Sequence, residues 1–166
     1  MKHLRDFRST EFGAICFQLD AVQNVRKLER LVSEILELGA CPSPVVETVG
    51  SANKKPIPLE EVKSLLEPVL SSIGMLTFQA AKTASRSNAP GIFFDSESVK
   101  RYIEPLREKF EGTIQIQGGI TKDTIGEAVN IGAEFFVTGT EIFRNHGGLT
   151  PEQAVDEMLQ KAVESL

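Results

Sequence analysis

Histidine and cysteine are scarce in this chain of 166 residues, two of each, and that scarcity removes most metal and thiol chemistry. Cys16 lies in an apolar run and Cys41 in a proline-flanked turn, without metal-ligand spacing, so both read as reduced structural thiols rather than a disulfide. His3 and His146 stand far apart in polar surroundings with no third ligand in view, which gives no basis for a metal site or other cofactor. Basic runs are absent as well. With a formal net charge of -5 and a pI near 5.2, nucleic acid and an anionic membrane surface are excluded as principal partners. No charged-then-apolar leader is visible, and no apolar stretch approaches the ~20 residues of a membrane helix; both absences predict a soluble cytoplasmic protein. Without an internal repeat, low-complexity run or second composition regime, residues 1–166 are expected to form a single domain.

What is present is an alternation. After a polar lead-in, residues 1–12, the apolar run Gly13 to Leu19 suits a buried strand, and Val22 to Leu38 is the clearest amphipathic helix, with Val25, Leu28, Val32, Ile35 and Leu36 on one face and Gly39 at its end. Pro44 to Val49 can form the next strand, its start made ragged by Pro42 and Pro44. Pro58 opens a helix striped by Val62, Leu65, Leu66, Val69 and Leu70, with Glu60 and Glu61 at the positive end of its dipole. Gly74 to Gln79 reads as a third strand and Ala80 to Gly91 as a loop over a site; Asp95 or Ser96 then caps a helix running to about Phe110. At the far end, Thr150 and Gln153 spell a capping box for a helix presenting Val155, Met158, Leu159, Ala162, Val163 and Leu166. Five strands alternating with helices predict a parallel α/β sheet.

The stretch Thr113 to Arg144 organises the rest, because it contains two successive strand, glycine turn, helix units. Ile114 and Ile116 lead to Gly118-Gly119, with Thr121 as the expected cap of the helix carrying Ile125, Ala128, Val129 and Ile131; Glu134 to Thr138 leads to Gly139-Thr140 and a helical start, Glu141 to Phe143. Unpaired backbone N–H groups behind glycines without Cβ atoms can cradle a phosphate, and (β/α)8 barrels bind phosphate between the loops after strands seven and eight. The alternative is that Gly118, Gly119 and Gly139 only allow tight turns.

The order of elements and the wording of four places resemble the ribulose-phosphate 3-epimerase family over about residues 13–160: Phe17-Gln18-Leu19-Asp20-Ala21, Pro58-Leu59-Glu60-Glu61, Leu106-Arg107 with Ile114-Gln115-Ile116-Gln117-Gly118-Gly119-Ile120, and Gly132-Ala133 with Val137-Thr138-Gly139-Thr140-Glu141-Ile142-Phe143. The resemblance implies an incomplete TIM-type barrel, about the last five-eighths of ~250 residues, lacking the first three strands and their metal-binding histidines and carboxylate. It also implies a sugar phosphate as ligand, with phosphate at Gly118, Gly119, Gly139 and Thr140 and the sugar facing Gln18, Gln117, Lys82 and Arg86. Gln117 stands where the family has its acid/base and metal-binding aspartate, and an amide can take neither role. Gln18 stands for a histidine. No catalytic residue and no metal ligand are therefore assigned, and an epimerase-like protein impaired on its own is expected, with a non-catalytic binding or interaction subunit as the alternative.

Several candidates keep a second reading. Lys82 and Arg86 lie where cations would close over a phosphate, or are solvated loop charges; Glu47 and Asp20 would replace a lost carboxylate, or cap turns. A Schiff-base role for Lys82 lacks an acid or base partner. An open sheet leaves two edges and an apolar inner face, so association is expected, with copies of itself or with a complementary barrel half.

Overall fold

The computed structural model describes residues 13–22, 24–50, 55–83, 92–144 and 148–166, without the side chains at 82, 83 and 92. β1 (Ala14–Gln18) passes through a 3-10 turn to α1 (Val25–Glu37), which starts where the Asn24 side chain accepts from the Lys27 N–H at 2.9 Å. There follow β2 (Cys41–Glu47), α2 (Leu59–Leu66), β3 (Met75–Gln79), β4 (Ala81–Thr83), β5 (Ile92–Phe94), α3 (Ser96–Arg107), β6 (Thr113–Gln117), α4 (Ile125–Asn130), β7 (Phe135–Val137), α5 (Thr140–Phe143) and α6 (Pro151–Val163). Five strands make one parallel sheet in the order β1-β2-β3-β6-β7, while β4 and β5 pair antiparallel apart from it. The sheet is not closed, so β1 and β7 are edges. This is the α/β architecture of an incomplete barrel, as expected.

Alternation along the strands separates two faces. Val46, Leu76, Phe78, Ile114 and Ile116 are fully buried and pack with Leu28, Val32, Val62, Leu66, Val99 and Ile103 of the helices. The intervening residues face the inner side. There Ser43 Oγ and Thr77 Oγ1 lie 2.7 Å apart, and Gln115 Nε2 donates to Thr77 Oγ1 at 3.0 Å. All three side chains are buried, and their mutual hydrogen bonds offset the cost of removing them from water.

Five expectations change. The second strand begins at Cys41, not Pro44: Cys41 N–H donates to Gly13 O, so the missing donors of Pro42 and Pro44 face the β3 side, where pairing starts only at Val45. The loop after β3 is bounded by strands, because β4 and β5 pair through Ala81–Phe94 and Thr83–Ile92; residues 84–91 between them lie outside the described residues. Thr121 does not cap α4. Its carbonyl accepts from Thr124 and Ile125, while the Thr124 hydroxyl turns back to Gly119 O at 3.0 Å. The first strand is an exposed edge rather than a buried strand, since no neighbour covers its outer side among the described residues. The capping box at Thr150 and Gln153 is present, but of the α6 stripe only Met158 is buried and Ala162 half-buried; Val155, Leu159, Val163 and Leu166 face outward. Among the described residues no helix is long and apolar enough to cross a membrane.

Candidate functional site

Parallel strands bring their C-terminal ends to one rim, where the connecting loops supply chemistry to a rigid frame. The register aligns Glu47 of β2, Gln79 of β3, Gln117 of β6 and Val137 of β7 in one row. The two amides meet: Gln117 Nε2 donates to Gln79 Oε1 at 2.7 Å. Thr48 fastens the same place from β2, its hydroxyl donating to Gln79 O at 2.9 Å. Each glutamine has further donor and acceptor capacity, so the pair presents neutral hydrogen-bonding groups rather than a charge.

The two glycine turns sit side by side after β6 and β7, tied by the Thr138 hydroxyl donating to Ile120 O at 2.8 Å. They are unlike in what surrounds them. Gly118 and Gly119 have φ of +93° and +73°, a region L side chains avoid, and a Cβ on Gly118 would come 2.6 Å from Ala81 Cβ. A Cβ on Gly119 would press into the backbone of Phe93 and Phe94. These two glycines are therefore required for β4 and β5 to lie over the turn, with or without a ligand. Gly139 has φ of -131°, and no atom of the described residues comes within 4 Å of its Cβ position, so its turn is open on that side.

The other sequence candidates are scattered. Gln18 is on the inner face in register with Val45, with β2 and β3 standing between it and Gln117. Lys82 has its backbone in β4 but its side chain outside the described residues, as are Arg86, His3 and His146 entirely. Asp20 lies in the 3-10 turn after β1, which packs against β2. Gln79 was not singled out, although Met75–Gln79 and Thr113–Gln117 both end an alternating run on glutamine, which marks both as inward and rim-facing. The clearest pKa shifts lie instead on the outer layer: a hydrogen bond from Lys109 lowers Glu67, one to Glu157 raises Lys122, and burial raises Tyr102, whose hydroxyl donates to Ile57 O at 2.6 Å.

A family profile for ribulose-phosphate 3-epimerases matches residues 2–143. The chain belongs to the ribulose-phosphate 3-epimerase family. Among solved structures it is similar to 3-hexulose-6-phosphate synthase from Salmonella typhimurium, at 15% identity and a TM-score of 0.63, over 99% of this chain and 68% of that one. It is similar to a structure described as native KDPGal, at 13% identity and a TM-score of 0.52, covering 99% of this chain and 63% of the other. The carboxyl transferase domain of Rhizobium etli pyruvate carboxylase gives 13% identity and a TM-score of 0.58, over 98% and 30% of the two chains. At these identities the likeness is one of fold. The chain spans only part of each of these structures, and no curated protein matches it.

The divalent metal implied by the epimerase resemblance does not fit the described residues. No group of three His, Cys, Asp or Glu side chains converges among them, and Gln117 gives an amide already bonded to Gln79 where the family has a carboxylate.

Proposed function

We propose that this chain binds a phosphorylated ketose at the rim of its sheet and does not by itself exchange the proton at the sugar's C3. The Gln79–Gln117 amide pair carries this reading: Gln117 stands where the resemblance puts the family's acid/base aspartate, and the pair can hydrogen-bond sugar hydroxyls but cannot accept a proton near neutral pH. The phosphate is assigned to the paired turns, chiefly Gly139 and Thr140, with Gly118 and Gly119 forming the floor. Lys82 of β4 and Arg86, which follows it in sequence, are assigned to the phosphate, and Gln18 to the far side of the sugar. On this reading the protein is a sugar-phosphate-binding relative of the epimerases.

Calorimetric titration with ribulose 5-phosphate, followed by solvent-deuterium exchange at C3, tests both halves. Binding without exchange is expected. Gly139→Asp, placed where a side chain has room, adds like charge beside the phosphate and weakens binding at least about tenfold. Absence of binding, or binding indifferent to Gly139→Asp, overturns the site; exchange above the background rate overturns the role given to Gln117.

A further inference from the structure

The rim row has two unlike ends. Glu47 of β2, Gln79 of β3, Gln117 of β6 and Val137 of β7 share one level and one face, because each is in register with the next. Both atoms of the Gln79 amide turn toward β6: Oε1 accepts from Gln117 Nε2 at 2.7 Å, and Nε2 stands 2.8 Å from the place a Cβ would take on Gly118. The amides therefore gather at the β6 turn. Glu47 is the one acid among these four residues, and it lies on the other side of Gln79. Its backbone is fixed there by the next residue, Thr48, whose N–H and hydroxyl both donate to Gln79 O, at 3.3 and 2.9 Å. Val46 and Thr48 are buried on either side of it, and Glu47 itself is half-buried as the last residue of the strand rather than part of the turn that follows.

Distance and charge give that position a use. Neighbouring strands lie about 4.8 Å apart, so the glycine turns after β6 and β7 stand roughly 12 Å from β2. With standard bond lengths, an extended pentulose 5-phosphate measures about 9 Å from phosphorus to the hydroxyl on C1. A ligand held by its phosphate at those turns lays its chain across the Gln79–Gln117 amides and brings its far end to Glu47. Phosphate and carboxylate are then more than the screening length of about 8 Å apart at physiological salt, so Glu47 does not oppose the phosphate. A carboxylate has about four acceptor sites and no donor, so it can take a hydroxyl beside any partner it already has. Such charge-assisted bonds are stronger than those between neutral groups, and the same charge rejects a second carboxylate brought to the same place.

Resting on the ketose-phosphate reading of the rim, we propose that Glu47 is a specificity-determining residue of the site. Its carboxylate accepts from the hydroxymethyl end of the sugar phosphate and turns away a ligand that carries an acid there. The ligand class narrows to phosphate esters of sugars whose far end is a hydroxyl, and like charge excludes the corresponding sugar-acid phosphates. Gln18 of β1, in register with Val45, stands diagonally from Glu47 and offers the same end a neutral group.

Calorimetric titration of the 166-residue chain with ribulose 5-phosphate, 5-phosphoribonate and inorganic phosphate tests this, with circular dichroism as the folding control. The unaltered chain should bind ribulose 5-phosphate at least about tenfold more tightly than 5-phosphoribonate. Glu47→Gln, neutral and of nearly the same shape, should weaken ribulose 5-phosphate about tenfold, tighten 5-phosphoribonate and leave inorganic phosphate within about twofold. Glu47→Asp keeps the charge and should keep the preference. An equal loss for all three ligands means that Glu47 only supports the fold, and overturns the proposal. So does a preference for ribulose 5-phosphate that Glu47→Gln leaves unchanged, which removes the role of Glu47 while the phosphate site stands. If the unaltered chain takes none of the three ligands, the site itself fails and the proposal with it.

Discussion

The middle of the sheet and its β7–α6 end are built from the same kinds of residue and live in different surroundings. Leu76 and Phe78 in β3 and Ile114 and Ile116 in β6 are sealed between neighbouring strands and the helical layer. Phe135 in β7 is 51% exposed, Phe143 in α5 75% and Leu159 in α6 58%. Hydrophobicity alone does not place a residue in a core. A strand is buried by what lies on each side of it, and among the described residues β7 has a neighbour on one side only. The centre therefore carries the larger share of the fold's apolar burial, and the end leaves apolar side chains exposed.

The largest contrast should come from truncating one aromatic in each region. Phe78→Ala removes a fully buried ring and leaves a cavity, so urea unfolding should show a loss of about 3–5 kcal/mol. Phe143→Ser should change stability by about 0.5 kcal/mol or less at concentrations where the chain is monomeric. A comparable loss at Phe143 would mean that the end is packed within a single chain, and the contrast would fail.

The glycine turns give a second, smaller contrast between two adjacent places. Gly119→Ala must accept φ of +73° and press a methyl into the strand above, so a loss of about 2 kcal/mol or more is expected in thermal or urea unfolding. Gly139→Ala meets open space at an ordinary φ and should cost about 0.5 kcal/mol or less. Equal costs would show that β4 and β5 do not rest on the first turn.

Much of this was legible in the residues. The alternation of strands and helices, the Thr150–Gln153 capping box and the Val62, Leu65 and Leu66 stripe depend on local spacing, and local spacing is visible. The start of the second strand, at Cys41 ahead of Pro42 and Pro44, was not, because proline is tolerated there only where β3 has not yet begun, which is a fact about the neighbour. β4 and β5, three residues each on either side of a polar stretch, carry too little pattern to be read. For the candidate site, Gln117 is singled out by the resemblance, which puts it where the family has an aspartate, whereas Gln79 gains its meaning only when register sets it beside Gln117.

A finer comparison concerns hydroxyls rather than rings. Thr77 lies at the centre, and its Oγ1 joins Ser43 and Gln115, both of which are buried. Thr77→Val keeps the volume and the β-branched shape but leaves a buried hydroxyl and a buried amide without their shared partner; a loss of about 1–3 kcal/mol follows from their desolvation. Thr138, at the β7 end, makes one hydrogen bond to Ile120 O from a half-buried position. Water can replace that partner, so Thr138→Val should cost about 0.5–1.5 kcal/mol, near the net worth of a single hydrogen bond. Replacing Ser43, Thr77 and Gln115 together by Ala, Val and Leu separates the two causes. If the cost at Thr77 is that of orphaned neighbours, the triple variant should recover stability relative to Thr77→Val, because no buried polar atom of the ladder is then left unpaired. If the triple variant is less stable still, the ladder itself holds the inner face together, and the middle of the sheet depends on its polar layer as well as on its apolar one.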